Sequence, residues 1–401
     1  MSQNAVNALV GQAGGPTVVI NQSLVGVVEA CVQASGVKSI YGSLQGVQGI
    51  LHENLIDLGL ESPADLERVA NTPCAALRSI RKKPSASECE RMVDVFRAHN
   101  IRFFFYIGGN DSAESAYLLH QVAQSKDYDL RLFHVPKTID NDLEVTDHCP
   151  GYPSAARFVT QAFMGDNEDN RSLGGVKINV VMGRHAGWLT AAAALARHNP
   201  SEGPHLVYLP EVDFEIPRFV QDVGRTLDQF GRCVVAVSEG IHNAKGELIQ
   251  ASTEVDSHGN PLLAGGALGD QLAEVIKREL GVSRVRADTF GYLQRSYFGV
   301  VSEVDAREAR AVGRHAVELA LAGHDPHGSV IIRRESTRPY EASLGRTDLE
   351  NVAQKTRCMP AEFLAGTNGV SPAFVEWLAP LVGDLPRPGR LSDLPVPRRL
   401  G

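Results

Sequence analysis

Short apolar runs alternate along the chain with longer stretches in which apolar residues recur every three or four positions. The apolar runs have the length of buried strands and lie at residues 5–10, 39–41, 101–107, 130–135, 176–182, 205–209, 233–237 and 329–332. The periodic stretches predict amphipathic helices at residues 22–33, 112–124, 187–198, 216–230, 268–280 and 304–322. Because the two kinds alternate, we expect an α/β fold in which helices cover parallel sheets.

Length and charge narrow the class of protein. A chain of 401 residues exceeds the usual single core, so two domains are expected. The net charge of −8 argues against a nucleic-acid partner, which needs a basic face. No apolar run is long enough to span a membrane, and the N-terminus lacks the basic flank of a signal peptide. We therefore expect a cytoplasmic protein with no membrane partner.

Two short stretches that follow predicted strands carry the candidate chemistry. The first is Gly-Gly-Asn-Asp-Ser at 108–112, which lies between a strand and a helix. Paired glycines at such a turn let backbone amides approach phosphate oxygens. The second is Pro-Lys-Thr-Ile-Asp-Asn-Asp at 136–142, in which Lys137 can meet anionic oxygens and Asp140 can accept a proton.

Either stretch alone has a plainer interpretation. A Gly-Gly turn followed by Asn, Asp and Ser is typical of a helix cap, and Thr-Ile-Asp-Asn-Asp is typical of a turn with side-chain caps. Together they indicate a phosphoryl-transfer site, which requires a base, cations on the phosphate oxygens and an in-line arrangement. A Mg²⁺ cofactor follows from that chemistry, since a divalent ion neutralises the transferred group.

Further motifs give the chain a resemblance to a known family. They are Met-Gly-Arg-His-Ala-Gly-Trp at 182–188, Pro-Glu-Val at 210–212 and Phe-Gly-Tyr-Leu-Gln-Arg-Ser at 290–296. With the two stretches above, the sequence resembles the phosphofructokinases, and within them the branch that uses pyrophosphate in place of ATP. The resemblance covers roughly the first three hundred and thirty residues.

The resemblance implies a fold and a domain division. It implies two Rossmann-like three-layer domains with mostly parallel sheets and an active site in the cleft between them. Residues 1–151 plus about 294–345 would bind the phosphate donor, and about 152–293 plus 346–401 would bind the sugar phosphate, with a C-terminal extension. The predicted loop at 243–265 and the Pro- and Arg-rich tail at 385–401 receive no role.

The resemblance also implies roles for the donor side. Asp140 would take the proton from the sugar 1-hydroxyl beside Thr138, and Lys137 would grip pyrophosphate. Asp111 and Lys137 both replace glycine of the ATP-dependent branch, where they would occupy the place of the nucleotide α-phosphate. A carboxylate about 4 Å from an added phosphate repels it by about 1 kcal/mol in water and about 4 kcal/mol at an effective dielectric near 20. Asn110 stands where ATP-using bacterial relatives have a metal-side aspartate, so Asn110 and Asp140 are candidate metal contacts.

The remaining substrate contacts also come from the resemblance. The full set of implied binding residues is Gly14, Gly15, Arg81, Thr138, Asp140, Asp142, Met182, Gly183, Arg184, Glu211, Glu239, Arg286, Tyr292 and Arg295. Arg286 would reach the sugar phosphate of a neighbouring subunit, so a homodimer or homotetramer with shared sites is expected. The family's second cross-interface arginine aligns with Gly175, a departure that Lys177 would offset. Val25 and Glu29 stand where allosteric relatives have arginines, so little response to ADP is expected.

The expected activity is pyrophosphate:fructose-6-phosphate 1-phosphotransfer, with fructose 6-phosphate and pyrophosphate as substrates. An ATP-dependent 6-phosphofructokinase or a non-catalytic regulatory subunit of the same fold are the alternatives. NAD kinases and diacylglycerol kinases share a Gly-Gly-Asp loop but lack the Met-Gly-Arg and Gln-Arg motifs, and a dehydrogenase would need a GxGxxG turn after a strand. The sequence leaves open whether sedoheptulose 7-phosphate is also an acceptor.

Overall fold

Two separate β-sheets organise the chain in the computed structural model, which describes residues 6–249, 267–392 and 394–399. The strands are β1 Val6–Gln12, β2 Val37–Ser43, β3 Leu55–Asp57, β4 Ile101–Gly108, β5 Arg131–Pro136, β6 Gly175–Val181, β7 Leu206–Tyr208, β8 Arg232–Ser238, β9 Val285–Thr289, β10 His327–Thr337 and β11 Tyr340–Thr347. The α-helices are α1 Ile20–Gln33, α2 Val47–Leu51, α3 Pro63–Ala70, α4 Ala86–Ala98, α5 Asn110–Ser125, α6 Tyr152–Leu173, α7 Trp188–Ala191, α8 Ile216–Phe230, α9 Ala267–Leu280, α10 Glu303–Ala322 and α11 Pro372–Val382. Short 3-10 helices lie at Leu58–Leu60, Ala192–Ala196, Gly291–Arg295, Leu349–Asn351 and Ala361–Phe363.

The larger sheet has seven strands in the order β11-β10-β5-β4-β1-β2-β3. Its five central strands run parallel, and β3 and β11 pair antiparallel at the two edges. Successive residues of β1 face opposite cores: Ala8 and Val10 pack with α1 and α10, whereas Leu9 packs with α4 and α5. Because side chains alternate along a strand, burial of both sets gives a three-layer unit with helices on both faces.

The smaller sheet has four parallel strands in the order β7-β8-β6-β9. On one face Val176, Ile178 and Val180 pack with α8 and α9. On the other face Val181 packs with α6 and α11. This second three-layer unit confirms the predicted α/β class with mostly parallel sheets.

A crossover joins the two units at the start of α6. Gly151 has φ +106°, and a Cβ there would lie 2.5 Å from Cγ2 of Thr17. The buried Asp305 carboxylate accepts hydrogen bonds from the backbone N–H groups of Gly151 (2.8 Å) and Ser154 (3.0 Å). These bonds satisfy amides at the helix N-terminus, where no intrahelical acceptor exists. A side chain from α10 therefore fixes the chain where it passes from the larger sheet to the smaller one.

All the predicted strands and helices are present, with bounds that differ by a few residues. The helix predicted at 187–198 is shorter, because α7 ends at Ala191 and the chain tightens into the 3-10 helix Ala192–Ala196. Most of the loop predicted at 243–265 lies outside the described residues. The tail beyond α11 has no regular structure among its described residues, and Arg390 pairs there with Glu168 (2.5 Å).

Two further observations bear on earlier expectations. Glu29 of α1 pairs with Arg310 (2.5 Å) and Arg314 (2.6 Å) of α10. These ion pairs do not test whether ADP affects the protein, so the expected small response to ADP stays a prediction.

Among the described residues, none of the helices has the length and apolar content needed to cross a membrane.

Candidate active site

The carboxyl ends of β1, β4 and β5 meet the ends of β6 and β8 at a cleft of about 660 Å³. Ligands of open α/β sheets bind at this edge, because the loops that follow parallel strands converge there. The donor half of the cleft comprises Gly14, Gly15, Arg81, Asn110, Asp111, Lys137, Thr138, Asp140 and Asp142. The acceptor half comprises Met182, Arg184 and Glu239, which follow strands β6 and β8, together with Arg295, whose Nη1 would lie 2.7 Å from a Cβ at Gly15 and so borders the donor half.

The glycine loop of the donor half opens directly into helix α5. The N–H of Ser112 donates to the carbonyl oxygen of Gly109 (3.0 Å), but Gly109 supplies no side-chain cap for the amides of Asn110 and Asp111 before it. Gly108 is needed for packing, because a Cβ there would lie 2.0 Å from Oγ of Ser112. The free amides and the helix dipole favour an anion at this end.

Lys137 is a buried cation beneath the first glycine turn. It is 2% exposed, and its Nζ donates a hydrogen bond to the carbonyl oxygen of Gly15 (2.7 Å). Burial, together with the nearby charge of Arg295, lowers the pKa of Lys137 to about 8. The ammonium group is thus held in place before any phosphate arrives, close to the Gly14 turn, whose φ is +74°.

Asp140 lies between the two halves of the cleft. Burial raises the pKa of its carboxyl, and the charges of Lys137 and Arg295 oppose that shift. Its backbone N–H donates to Oγ1 of Thr138 (3.0 Å), which fixes the turn. The neighbouring Asp142 also has a raised pKa, because it is buried and close to Asp140. A carboxylate in this environment holds a proton more readily than an exposed one, which suits a general base.

Asn110 bridges the glycine loop and the acidic turn. Its Nδ2 donates to Oδ2 of Asp142 (3.0 Å), while its Oδ1 is buried without a hydrogen-bond partner among the described residues. That part of the chain contains no group of three or more His, Cys, Asp or Glu side chains able to hold a metal. An unpartnered amide oxygen on a residue that contacts the Asp142 carboxylate fits Mg²⁺, which binds few protein oxygens and completes its shell with water and phosphate.

The basic run at 78–83 divides into different roles. Arg81, Lys82 and Lys83 all line the cleft, and Lys82 also pairs with Glu88 at the start of α4. Lys83 pairs with Asp111 (2.9 Å) and with Glu114 (2.6 Å). Asp111 is therefore not the bare carboxylate expected to repel a nucleotide phosphate, because a cation already balances part of its charge.

The acceptor half is built on a tight turn after β6. Gly183 has φ +147°, and a Cβ there would lie 2.7 Å from the carbonyl oxygen of Ala186. Its N–H points at Oε1 of Glu239 (3.5 Å), and burial raises the pKa of Glu239 to about 7, with Asp140 adding to the shift. Oε1 of Gln294, a residue of the Gln-Arg motif with no binding role predicted, accepts a hydrogen bond from the backbone N–H of Met182 (3.2 Å).

Four residues predicted to bind the sugar phosphate, Gly183, Glu211, Tyr292 and Arg286, are not among those that line the cleft of the single chain. Glu211 accepts from the N–H groups of Gly187 (2.9 Å) and Met359 (3.0 Å) through Oε1, and its Oε2 is buried without a partner among the described residues. Tyr292 is 66% exposed, with the Arg295 guanidinium 4.4 Å from its ring centroid. Arg286 is exposed on β9.

Lys177 does not stand free to replace the missing arginine at Gly175. It pairs with Asp288 on the adjacent strand β9 and lies 3.8 Å from Asp166. The expectation that Lys177 offsets the missing arginine is therefore not supported by its contacts, because two carboxylates already share its charge.

Sequence reasoning missed several residues that line the cleft. His185 follows the Met-Gly-Arg motif and could have been found from it. Gln354, Lys355 and Thr356 come from a segment after β11, and no motif marks them.

The phosphofructokinase family model matches residues 7–320 of the chain. A Rhodospirillum rubrum protein named pyrophosphate–fructose 6-phosphate 1-phosphotransferase is 51% identical over 392 residues, 96% of each chain. A Halomonas elongata protein of the same name is 36% identical over 98% of each chain. The crystal structure of a pyrophosphate-dependent phosphofructokinase from Marinobacter aquaeolei superposes with a TM-score of 0.86 at 34% identity. It covers 97% of this chain and 95% of that one.

Proposed function

This chain belongs to the phosphofructokinase family, and on that premise we propose that it transfers a phosphoryl group reversibly from pyrophosphate to fructose 6-phosphate. The products are fructose 1,6-bisphosphate and phosphate. The observation that carries the proposal is the buried Lys137 at the donor end of a cleft whose centre holds Asp140.

The proposed mechanism assigns a role to each side of the cleft. Asp140 accepts the proton of the sugar 1-hydroxyl as the hydroxyl oxygen attacks a phosphorus of pyrophosphate. A new C–O–P bond forms, the bridging P–O bond breaks, and phosphate leaves with the electron pair of that bond. Lys137 and the amides at the start of α5 stabilise the charge on the phosphate oxygens. In the reverse direction Asp140 returns the proton to the sugar oxygen.

We propose Mg²⁺ as the cofactor. When bound, the ion would neutralise charge on the phosphate oxygens. Oδ1 of Asn110 and the Asp140 carboxylate would hold it, because these are hard oxygen donors and the amide oxygen has no other partner among the described residues.

Pyrophosphate is the proposed donor because Lys137 and Asp111 together fill space beside the glycine loop. The ATP-dependent enzyme is the alternative, and a non-catalytic regulatory subunit is disfavoured because such subunits typically lack the aspartate base that Asp140 supplies here.

Arg184 and Arg295 offer forked donors for the sugar phosphate, and the free Oε2 of Glu211 offers an acceptor for a sugar hydroxyl. Sedoheptulose 7-phosphate is a second acceptor to be tested.

We further propose that the sites are shared in a homodimer or homotetramer. The exposed Arg286 and Tyr292 support this, since both lie outside the cleft of their own chain. In this arrangement residues 1–151 plus about 294–345 form the donor domain and the rest of the chain the sugar-phosphate domain.

Initial rates of fructose 1,6-bisphosphate formation, measured with Mg²⁺ and either pyrophosphate or ATP, test the proposal. We expect turnover with pyrophosphate and little with ATP. The variant Asp111→Gly with Lys137→Gly should lose pyrophosphate use. Turnover of the wild type with ATP alone would overturn the choice of donor while leaving the fold intact.

A further inference from the structure

A segment beyond the region that the family model matches forms part of the donor half. The match ends at residue 320, yet Gln354, Lys355 and Thr356 line the cleft. Arg357 anchors the segment: it donates to the carbonyl oxygens of Asn141 (2.9 Å) and Asp147 (3.0 Å). The segment is thus tied directly to the turn that carries the proposed base.

Four side chains from three parts of the chain form one continuous chain of contacts across this wall. Nε2 of Gln354 donates to Oε1 of Glu114 (2.8 Å), and Oε2 of Glu114 pairs with Nζ of Lys83 (2.6 Å). The same Nζ pairs with Oδ1 of Asp111 (2.9 Å). All four side chains line the cleft. We call this set, Gln354, Glu114, Lys83 and Asp111, the donor wall.

The charges in the donor wall explain why Lys83 sits between two acids. Asp111 and Glu114 are three residues apart on α5, so their carboxylates lie on one helix face and repel each other. Lys83 offsets that repulsion and holds both. Burial of its stem opposes the charge, but hydrogen bonds with Glu114 and Asp111 raise the pKa of Lys83. Without Lys83 two unbalanced carboxylates would face an anionic donor.

The backbone at Gln354 gives an independent reason to assign a role to its side chain. Its φ is +61°, a conformation that favours glycine. A glutamine placed there is strained, and such strain persists where the surroundings determine it, often at ligand sites. The side chain of this same residue donates the hydrogen bond to Glu114 that completes the donor wall.

We propose that the donor wall sets donor size: Gln354 and Glu114 hold Lys83, and Lys83 fixes the Asp111 carboxylate where a third phosphate would lie. Lys83, Glu114 and Gln354 are positioning residues that act through Asp111. This inference rests on the proposed function, because it concerns selection among phosphate donors. It adds Lys83 and Glu114, which the glycine-loop reasoning did not include, and Gln354, which lies beyond the matched family region.

Calorimetric titration of the full chain with pyrophosphate and with tripolyphosphate tests the donor wall. The probe tripolyphosphate adds one phosphate and no nucleoside. We expect wild type to prefer pyrophosphate, and Gln354→Ala, which changes no charge, to reduce that preference about tenfold, the equivalent of one lost hydrogen bond. Glu114→Ala, which removes the other partner of that hydrogen bond, should reduce the preference similarly, and the double variant should not add the two effects, because both act through one contact chain.

Kinetics separate positioning from a general structural effect. Gln354→Ala and Lys83→Met should raise KM for pyrophosphate and leave KM for fructose 6-phosphate within about twofold. Two variants serve as matched controls: Gln124→Ala at the C-terminal end of α5, and Lys126→Met, whose lysine lies near Glu90 and Asp94. Neither should change the preference for pyrophosphate or the KM of either substrate. An unchanged preference in Gln354→Ala, or additive effects in the double variant, would overturn the inference. Absence of wild-type turnover with pyrophosphate would instead refute the proposed function, since the titration does not depend on turnover.

Discussion

The donor half of the cleft is held together by contacts within one chain, whereas residues expected in the acceptor half are left with unused groups. Lys137 donates to Gly15, Asn110 bonds Asp142, and Lys83 pairs with Asp111. On the sugar side, Oε2 of Glu211 is buried without a partner in the described part of the chain, and Arg286 lies exposed outside the cleft.

This difference between the two halves agrees with the size and charge of the two substrates. Pyrophosphate is small and highly charged, so a preformed set of cations and amides binds it with little reorganisation. The sugar phosphate is larger and has separate hydroxyl and phosphate groups. An acceptor half that a second chain completes provides cations on two sides of such a ligand. The contrast teaches that the residues implied for the donor side meet within one chain, whereas those implied for the acceptor side meet only partly there.

The largest effect is expected at the junction of the two halves. Asp140→Asn removes the proton acceptor, and general-base catalysis contributes about 10²- to 10⁴-fold. We therefore expect kcat to fall by about a thousandfold while KM for pyrophosphate changes little. Initial rates at saturating fructose 6-phosphate measure this. Asp228→Asn, an exposed aspartate on α8, serves as the control, and an Asp140→Asn variant with near-normal kcat would exclude Asp140 as the base.

Arg286→Ala tests whether the acceptor half extends beyond one chain. A hydrogen bond to a charged group contributes about 1.5–3 kcal/mol, so we expect KM for fructose 6-phosphate to rise about tenfold or more. KM for pyrophosphate should stay near its original value, because the donor half is complete without Arg286. Arg278→Ala on α9 removes a comparably exposed arginine as a control. An unaltered affinity for fructose 6-phosphate in Arg286→Ala would remove the basis for a shared site.

The donor half should lose affinity at alkaline pH. Lys137 has its pKa lowered to about 8. Its charged form dominates below that pH and declines about tenfold per unit above it. The pyrophosphate kcat/KM, which reports groups of the free enzyme, should therefore fall as pH rises through 8. Lys137→Arg keeps its charge at these pH values, so its profile should lack this alkaline decline whatever its absolute rate. A wild-type decline retained in Lys137→Arg would assign it to another group.

A smaller effect is expected at Glu211. Glu211→Gln preserves one oxygen for the N–H groups of Gly187 and Met359, but it replaces the free acceptor Oε2 by a donor. We expect KM for fructose 6-phosphate to rise several-fold, about the effect of one neutral hydrogen bond, with little change for pyrophosphate. Rates at varied fructose 6-phosphate measure this, and equal changes for both substrates would indicate a folding effect.

The fold was predictable where hydrophobic periodicity was strong. The long helix α6 was missed because its second half is dense in polar residues such as Asp166, Asn167 and Glu168. Helix α4 was missed although Ser85 and Glu88 form a capping box whose spacing is visible in the sequence. Strand β9 lies at the edge of the smaller sheet, and β11 is the antiparallel strand at the edge of the larger sheet. Both were missed because their alternating polar residues give no continuous apolar run.

The site was predictable where neighbouring residues carry it. Lys137 and Asp140 lie three positions apart on one turn, so their proximity could be read from the sequence. The pairing of Lys83 with Asp111 joins a loop to a helix, and Gln354 reaches Glu114 from a segment more than two hundred residues away. No local pattern encodes such contacts, because they depend on how the strands are ordered in the sheet.

A mixed-oligomer measurement tests the central claim, that the donor half is complete in one chain and the acceptor half is completed by a second. Asp140→Asn and Arg286→Ala chains would be unfolded together, refolded as a mixture and assayed at low fructose 6-phosphate, where each variant alone is nearly inactive. In a shared-site dimer, hybrids combine both substitutions in one site and leave the other site native. Recovery of about a quarter of wild-type activity is predicted for random pairing. Activity no higher than the average of the two separate variants would contradict the claim.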